Sequence, residues 1–359
     1  MARLTGRRIV VAGAGAIGSV LALRLQAEGA QVLLADPAPL AANASGVAAG
    51  MLAPAFEAVL DPISSGHFEL LKAARDLWPA LAERLPGAGL DRSGALWVGD
   101  EASNAALLAR LEALGAEAEA LGAAAAEALS PGLLAPAGAV FTPEDWTLEP
   151  AAMLAALQNA GEQRRAAAVQ AWSGDRASLS DGSTMPADTL VLAAGLAAEG
   201  LADPPPELQA LQPVKGQIAT LAGTEPRGGP VARGEGIYVV PRAAGPIAGA
   251  TMEGGVRDVV VDPGAVERLR RAAASLYPAL ANASAVGAAG VRAATPDGLP
   301  LVGESRTPGV WLAMGARRNG WLLAPLIAEV LADQLAGGDG GPWAKGFAPG
   351  RFCADLSSP

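Results

Sequence analysis

A short glycine-rich turn near the amino end constrains the fold of this chain more than any other feature. The turn reads Gly13-Ala14-Gly15-Ala16-Ile17-Gly18, follows an apolar run at residues 9–12 and precedes a helical pattern at 17–28 that Gly29 ends. This order predicts a buried strand, a tight turn and a helix. A second apolar run at 31–35 predicts the next strand, so the segment is typical of a parallel β-α-β unit.

Each glycine of the turn has a mechanical role in a phosphate-binding loop. Gly13 permits the sharp turn, Gly15 lets backbone N–H groups approach a pyrophosphate, and Gly18 lets the helix pack closely on the strand. Ala16 and Ile17 begin the helix, whose positive N-terminus would face the phosphates. The turn therefore predicts a nucleotide-binding site, with a plain structural turn as the alternative.

An acidic residue at the end of the second predicted strand supports this interpretation. Asp36 follows Gly18 by 18 residues, at a place where a carboxylate can accept hydrogen bonds from ribose hydroxyls. The sequence thus predicts dinucleotide binding. The turn alone does not distinguish NAD from FAD, because both cofactors use it.

Charge and composition exclude several other classes of protein. The 359 residues carry a net charge of −10, whereas a nucleic-acid partner would require a basic face. One cysteine and one histidine predict neither a disulfide framework nor a metal site. The most apolar helical stretch, 322–335, contains Pro325, Glu329 and Asp333 and is too short to span a membrane. We therefore expect a small-molecule partner, no nucleic acid and no integral membrane segment.

The pair Arg7-Arg8 before an apolar run is a feature of twin-arginine signal peptides. Here the run is interrupted by strictly spaced glycines and continues into Arg24 and Glu28, and no cleavage site precedes Gln26. A strand, turn and helix explain this pattern better than a signal peptide. We expect a cytoplasmic protein.

The remaining patterns indicate two domains whose segments alternate along the chain, since its length exceeds one average domain. Helices are predicted at 66–85, at 102–129 as a pair, and at 150–160, 263–280 and 320–334. Strands are predicted at 189–194, 217–221, 237–241, 246–251, 301–303 and 310–313. Because β-α patterns occur at both ends and strands dominate between them, we expect a nucleotide domain assembled from separated pieces.

A loop of small residues follows the β-α-β unit, and its resemblance to a known family bears on the choice between FAD and NAD. The segment Ala44-Ser45-Gly46-Val47-Ala48-Ala49-Gly50-Met51-Leu52 lets backbone lie close to a planar ring system, although a flexible Ala/Gly loop is the alternative. It resembles the flavin-side loop of the D-amino acid oxidase family, in its glycine oxidase and sarcosine oxidase branch. Segments 144–150, 189–195 and 213–217 are similar to family segments in the same order.

The carboxyl-terminal third carries the most specific part of this resemblance. Segments 238–242 and 249–253 are similar to two strands that form a wall of the glycine oxidase substrate pocket. Segment 290–303 resembles the family segment with the substrate-binding arginine, and 315–325 resembles the flavin-contacting loop and helix start.

The resemblance implies an α/β fold with a Rossmann-type, glutathione reductase-like FAD-binding domain and a substrate domain built on an antiparallel or mixed β-sheet. The FAD domain would comprise residues 1–75, 146–211 and 290–359, and the substrate domain 76–145 and 212–289. Because Cys353 lies outside every matched motif, we expect noncovalent FAD. Besides the glycine turn and Asp36, the implied FAD contacts are Ser45, Ala48, Ala49, Gly50, Met51, Leu52, Val169, Gly195, Arg318, Asn319, Gly320, Trp321 and Leu322.

Four residues are implied at the substrate. Arg292 would grip an amino acid carboxylate with its planar guanidinium, a geometry that lysine cannot imitate. Tyr238 would hydrogen-bond the same carboxylate or belong to the core. Met252 would line the pocket or belong to the core, and Arg318 would be a second cation or a flavin neighbour.

The implied reaction is oxidation of glycine or a similar small primary or secondary amino acid. Its α-carbon hydride passes to FAD, water hydrolyses the imine, and O2 is reduced to H2O2. The near absence of histidine is no objection, because a neutral amine needs no side-chain base for hydride transfer. The family role in supplying an imine for the thiazole of thiamine is a further implication.

Two other hypotheses stay open: a dehydrogenase that passes electrons to a quinone or carrier protein, and a flavin-binding protein without turnover. A homo-oligomer is also open. The sequence departs from the family pattern in two respects: the first, at Asp36, concerns the reach to ribose, and the second, at 316–317 and 321, concerns substrate size and oxygen reactivity. Asp36 stands where glutamate is common, Ala316-Arg317 where histidine and an aromatic residue are frequent, and Trp321 where an aliphatic residue is usual.

Overall fold

The computed structural model describes residues 2–161, 163–222, 226 and 228–352. In chain order its strands are β1 (Arg8–Ala12), β2 (Gln31–Ala35), β3 (Met51–Leu52), β4 (Ala95–Trp97), β5 (Glu119–Leu121), β6 (Ala139–Thr142), β7 (Trp146–Thr147), β8 (Arg164–Arg165), β9 (Val169–Trp172), β10 (Arg176–Leu179), β11 (Thr184–Pro186), β12 (Thr189–Leu192), β13 (Gln212–Leu221), β14 (Val231–Gly234), β15 (Ile237–Val240), β16 (Ile247–Gly249), β17 (Glu253–Gly254), β18 (Ala285–Ala294), β19 (Leu301–Glu304) and β20 (Val310–Met314).

The α-helices are α1 (Ala16–Ala27), α2 (Ala44–Val47), α3 (Pro54–Leu60), α4 (Phe68–Asp76), α5 (Trp78–Glu83), α6 (Glu101–Ala113), α7 (Ala123–Leu129), α8 (Pro150–Ala160), α9 (Pro263–Leu276), α10 (Gly320–Leu335) and α11 (Ala344–Phe347). Short 3₁₀ helices cover Gly195–Gly200, Pro206–Ala210, Pro278–Asn282 and Pro349–Phe352. The described helices include none that is both long and apolar enough to cross a membrane.

The first sheet has the strand order β19-β20-β12-β1-β2-β8 and is parallel except for β19. Side chains alternate between the faces of a strand, and both faces of β1 are buried. Ile9 and Val11 pack in the core that includes α1 and α10, whereas Val10 packs with Leu179 of β10. The small antiparallel sheet β9-β10-β11 therefore covers the second face, as in a Rossmann-type layer.

The second sheet has the order β17-β13-β16-β15-β14-β4-β6-β5, with β18 paired to β13. Its pairs are antiparallel except β14 with β4. One face packs on α9, where Val239 meets Leu269 in a shared core. The other face packs on α3 and α6 through a core that includes Val240, Phe56 and Leu111.

The strands of the two sheets follow the expected domain ranges except at one boundary. The six strands of the first sheet lie within 1–75, 146–211 and 290–359. The second sheet uses 76–145 and 212–289, but the expected boundary at residue 290 falls inside β18. Arg292 thus stands on a strand of the second sheet. The division into two domains itself stays a prediction.

Several predicted elements differ from the observed ones for local reasons. The helix expected at 66–85 is two helices, because Pro79 has no N–H to donate and sits in the first turn of α5. The helix expected at 263–280 ends at Leu276, because Pro278 disfavours helical backbone at Tyr277, which is extended. The segment 102–129 holds α6, β5 and α7 rather than a simple helix pair.

Candidate active site

A cavity of about 430 Å³ lies between the second sheet on one side and the 44–52 loop and the start of α10 on the other. The loop before and through β3 and the segment 318–321 form one wall. The opposite wall comes from the second sheet, including Gly216, Tyr238, Gly249 and Arg292. Segments that lie far apart in the sequence, several of which carry the motifs described above, therefore line one cavity.

The glycine turn is built so that side chains could not replace two of its glycines. Gly13 has a φ of 107°, and a Cβ there would lie 2.6 Å from the Ala193 carbonyl oxygen. A Cβ on Gly18 would lie 1.9 Å from the Gly13 carbonyl oxygen. Gly15 caps α1 without a side-chain hydrogen bond. Close packing and an open helix N-terminus are what a bound pyrophosphate requires.

Two side chains hold the turn against its neighbours. Ser45 Oγ accepts the N–H of Ala16 at 2.9 Å, which joins α1 to the loop at 44–52. Asp36, at the end of β2, accepts the N–H of Ala14 at 2.7 Å and that of Ala38 at 2.8 Å. Asp36 is thus fixed beside the turn, and its contact with a ribose stays a prediction.

The loop at 44–52 has defined geometry. Gly50 has a φ of 78°, and a Cβ there would lie 2.1 Å from the Leu148 carbonyl oxygen. The Arg242 guanidinium donates to the carbonyl oxygens of Ala49 and Leu148, both at 2.7 Å. Ala48, Ala49, Gly50 and Met51 line the cavity. Leu52 is fully buried in the core and does not line the cavity, so its contact with a cofactor stays a prediction.

The two consecutive arginines of the carboxyl-terminal loop, Arg317 and Arg318, have different surroundings. Arg317 has a φ of 50° and pairs with buried Asp61, away from the residues that line the cavity. Arg318 lines the cavity and pairs with Glu57, with 2.9 Å between Nε and Oε2. Ala316 is buried as well. Neither of the two residues that depart from the family pattern at 316–317 therefore lines the cavity.

The start of α10 completes this wall. Asn319 and Trp321 line the cavity, whereas Leu322 is buried in the core. Trp321 donates its indole N–H to the Ser45 carbonyl oxygen at 3.0 Å and packs on Trp78 at 6.0 Å between ring centroids. The larger side chain at 321 thus ties α10 to the 44–52 loop. Gly320 begins the helix.

The remaining implied FAD contacts lie on the first-sheet side. Val169 begins β9 and packs beside the core of the small antiparallel sheet. Gly195 follows β12 with a φ of 56° and starts a 3₁₀ helix. Their contacts with a cofactor stay predictions.

Arg292 is the cavity's uncompensated cation. Gly216 on β13 makes room for its guanidinium, since a Cβ there would lie 2.0 Å from Nη1. Its one side-chain hydrogen bond among the described residues is from Nη1 to the Met252 sulfur at 3.7 Å, and no described carboxylate lies within ion-pair distance. Burial lowers the pKa of Arg292, but an arginine stays protonated. A desolvated cation of this kind favours an anionic ligand.

Tyr238 and Met252 stand beside this cation. Burial raises the pKa of the Tyr238 phenol, against the opposing charges of Arg292, Arg318 and Arg233, so it is a neutral donor. A Cβ on Gly249 would overlap the phenol oxygen, which shows how closely the ring crosses the next strand. Met252 is 43% exposed and lines the cavity, so the core interpretation of Met252 is wrong.

Comparison with known proteins identifies the family. Residues 8–334 match the family model described as FAD dependent oxidoreductase. The chain belongs to this family. A glycine oxidase of Pseudomonas putida is 30% identical over 93% of this chain and 95% of its own length. A D-amino acid dehydrogenase 2 of Ralstonia nicotianae is 38% identical over 42% of this chain and 38% of its own length.

A solved structure agrees with the fold. The crystal structure of glycine oxidase from Geobacillus kaustophilus superposes with a TM-score of 0.83 at 28% identity, covering 96% of this chain and 99% of that one. The predicted family, fold class and FAD dependence are confirmed. The protein is an FAD-dependent oxidoreductase of the glycine oxidase type.

The chain's own residues fit FAD. The N–H groups of Gly15, Ile17 and Gly18 find no acceptor among the described residues, which leaves donors for phosphate oxygens at the N-terminus of α1. The small residues at 48–50 leave space for a planar ring against the cavity wall. In this FAD-dependent oxidoreductase the Ser45 hydroxyl, in the loop that leads to 48–50, accepts the N–H of Ala16 at the start of α1.

Among the cavity-lining residues that sequence reasoning missed is a buried ion pair, Glu57 and Arg233. Arg233 Nη1 donates to Glu57 Oε1 at 3.3 Å, and both side chains are 5% exposed. Glu57 therefore pairs with Arg233 and Arg318, and its charge raises the pKa of Arg318. The signal available in the sequence was a lone glutamate within the apolar segment that forms α3.

A buried aspartate supports the helix that carries Glu57. Asp145 accepts the N–H groups of Ala55 and Phe56 at 2.8 and 3.2 Å, at the start of α3. Burial raises its pKa to about 6, although the charge of Arg233 and the two backbone hydrogen bonds oppose this. The 144–146 motif thus positions α3 rather than contacting the cavity directly.

Proposed function

We propose that this protein oxidises glycine or a similarly small primary or secondary amino acid to its imine, with O2 as the electron acceptor. For glycine, the substrate, O2 and water would yield glyoxylate, ammonia and H2O2. The similarity to glycine oxidases over nearly the whole chain supports this activity. The same site would serve a cytoplasmic enzyme with noncovalent FAD, and Cys353 lies outside the described residues.

One observation carries the substrate class. Arg292 is a desolvated guanidinium on the cavity wall, and no described carboxylate pairs with it. The other arginines near the cavity, Arg233, Arg317 and Arg318, each have an acidic partner. A substrate carboxylate would supply the missing charge through two parallel hydrogen bonds.

The chain's residues would mainly orient the substrate. When bound, FAD supplies the chemistry by accepting the hydride of the substrate's α-carbon. Arg292 and the neutral Tyr238 phenol would hold the carboxylate at the sheet wall. The small residues at 48–50 and the indole of Trp321 would shape the opposite wall and limit the water around the amine.

The dehydrogenase alternative is supported by the Ralstonia nicotianae relative, over less than half of this chain. Its distinguishing property is the electron acceptor. We expect H2O2 and imine hydrolysis product in equal amounts in air. Turnover with a quinone, together with reduced flavin that persists in air, would establish the dehydrogenase instead.

The deciding experiment is anaerobic reduction of the purified holoenzyme. We expect glycine, sarcosine, D-alanine or D-proline to bleach the visible flavin spectrum, followed by recovery and H2O2 release when air is admitted. A flavin spectrum that none of these amino acids bleaches would contradict the proposal and favour a flavin-binding protein without turnover.

A further inference from the structure

Helix α3 supplies two buried carboxylates, one helical turn apart, to two consecutive arginines in the loop before α10. Glu57 lies within α3, and Asp61 directly follows the helix, with its N–H donating to the Glu57 carbonyl oxygen at 3.1 Å. Glu57 pairs with Arg318, and Asp61 pairs with Arg317. Both carboxylate side chains are 5% exposed. The loop at 315–319 is therefore held by α3 at two adjacent residues.

The two ion pairs differ in their relation to the cavity. Glu57 and Arg318 line it, whereas neither Asp61 nor Arg317 belongs to its described lining. The Arg317 side chain is also largely buried, at 13% exposure. Any effect of the Asp61–Arg317 pair on the site therefore passes through the chain that joins Arg317 to Arg318.

The backbone of Arg317 is strained. Its φ of 50° lies in the left-handed region, which a residue with a side chain adopts at a cost and keeps where its surroundings hold it. The N–H of Arg317 donates to the Ala293 carbonyl oxygen at 3.0 Å, and the N–H of Asn319 donates to the Ala316 carbonyl oxygen at 2.8 Å. These hydrogen bonds hold the backbone of the turn, and Asp61 holds the Arg317 side chain.

Asp61 is itself fixed as an acceptor. The Ser64 hydroxyl donates to its Oδ2 at 3.0 Å, and the N–H of Ile63 donates to its Oδ1 at 3.4 Å. A carboxylate fixed in this way offers the Arg317 guanidinium one defined position. Loss of the carboxylate charge would leave a largely buried cation without its partner, and the cost of burying that cation would drive the Arg317 side chain towards solvent.

A movement of Arg317 would displace two parts of the site. The next residue, Arg318, carries the cation that Glu57 holds at the cavity wall. Asn319 and Gly320 then begin α10, and both are among the implied FAD contacts. The position of the turn therefore sets the position of a cavity cation and of a helix start.

Arg317 belongs to one of the segments in which this chain departs from the family pattern. A buried arginine at this position needs an anionic partner, whereas an aromatic side chain would not. We propose that Asp61 is a positioning residue of the active site, which through Arg317 fixes the turn that places Arg318 and the start of α10. The inference deepens the proposed function, since it concerns the same site.

Two substitutions at residue 317 separate the ion pair from the turn. Arg317→Gln and Arg317→Gly both remove the pair, but glycine adopts a φ of 50° without strain and glutamine does not. After dilution of the holoenzyme, we expect FAD to dissociate several-fold faster from Arg317→Gln than from wild type, and at nearly the wild-type rate from Arg317→Gly. The fluorescence of released FAD measures both rates. Equal rates in the two variants would overturn the proposal.

A rescue experiment tests Asp61 itself. Asp61→Asn leaves Arg317 without its partner, and we expect it to speed FAD release and to lower kcat/KM for an amino acid substrate by roughly 10-fold. Adding Arg317→Gly removes both the unpaired cation and the strain, so this double variant should return to within about 3-fold of wild type. A folded double variant no better than Asp61→Asn would refute the assignment. If Asp61→Asn does not fold, the comparison at residue 317 decides.

Glu28→Gln is the matched control for the loss of ion pairs. Glu28 pairs with Arg3 and Arg24 at the C-terminal end of α1, and its side chain is 14% exposed. We expect this variant to lower the free energy of unfolding without changing FAD release or kcat/KM. The same pattern in Asp61→Asn would mark its ion pair as merely structural and contradict the proposal.

The FAD release rate also separates this inference from the proposed function, because the measurement requires no turnover. If the expected order of release rates holds while no amino acid bleaches the flavin, the positioning role stands and the proposed oxidation alone has failed.

Discussion

The two sides of the site are built in different ways. On the side where we expect FAD to bind, backbone geometry defines the surface: Gly13 and Gly18 allow contacts that a Cβ would block, and open N–H groups lie at the N-terminus of α1. On the substrate side, charged side chains from separate strands define it, with Arg292 on β18 and Arg233 on β14. Backbone surfaces tolerate few residue types, whereas a side-chain surface can change specificity by single substitutions.

The largest expected effect tests the backbone side. Gly18→Ala would place a Cβ 1.9 Å from the Gly13 carbonyl oxygen and so force α1 away from β1. We expect purified Gly18→Ala to contain little or no flavin, measured as the visible-to-ultraviolet absorbance ratio. Gly122→Ala is the control, because an added Cβ there meets no atom within 4 Å and the φ is −68°. Full flavin content in Gly18→Ala would refute the backbone argument.

The next effect tests the side-chain contribution. Arg292→Ala should lower kcat/KM for an amino acid substrate by about 2–4 kcal/mol in transition-state binding, mainly through KM, because a charge-assisted carboxylate contact is lost. Flavin content should stay at the wild-type level. Arg268→Ala, exposed on α9, is the matched control. An unchanged KM in Arg292→Ala would show that the carboxylate binds elsewhere.

A pH effect tests the support of the substrate side. The pKa of Asp145 is raised to about 6 in the folded protein, so the folded state holds this proton more tightly than the unfolded state does. Its contribution to stability is present below pH 4 and is lost as pH rises through 6, by at most on the order of 3 kcal/mol.

Comparison with Asp145→Asn isolates this contribution. The free energy of unfolding of the wild type, from denaturant titrations, should decrease relative to that of Asp145→Asn as pH rises from 4 to 7. Asp188→Asn is a control, since Arg8 lowers the pKa of Asp188 to about 2, so this carboxyl is ionised over nearly all of this pH range and its difference from the wild type should stay nearly constant. Parallel pH curves for wild type and Asp145→Asn would contradict the assignment.

The smallest effect concerns the junction between the two sides. Trp321→Phe removes the hydrogen bond to the Ser45 carbonyl oxygen and should cost about 1 kcal/mol of stability. It should also weaken flavin binding several-fold, because Ser45 fixes the turn. Trp172→Phe loses a similar bond to Pro308 away from the cavity and should keep the flavin affinity. Equal flavin Kd values in both variants would separate Trp321 from the cofactor.

The same contrast explains what the sequence could predict. Local backbone requirements leave local patterns, so the turn, β1, α1 and β2 were predicted to within one residue. Arg292 and Tyr238 were found through motifs, and both line the cavity. The pairing of Arg233 with Trp97 depends on strand register between distant segments, and no local pattern encodes register.

Other misses have local causes. Strands β9, β10 and β11 were not predicted, because their segment is mostly polar and short runs of that kind read as loop. The domain boundary expected at residue 290 falls inside β18, which pairs with the whole length of β13. Most residues of β18 are Ala or Gly, which have weak strand propensity, so the sequence did not predict this strand.

Strand β18 also fixes a distance within the site. Two residues after Arg292, Ala294 pairs with Ala316, and the N–H of Arg317 donates to the Ala293 carbonyl oxygen at 3.0 Å. The spacing between Arg292, the proposed carboxylate-binding residue, and the loop that carries Arg318 is therefore set by two residues of extended chain, ~7 Å. A shift of one along the chain would shift the other. An engineer who wishes to move Arg292 relative to this loop would have to change the length of the strand, because loop replacements alone would leave the spacing unaltered.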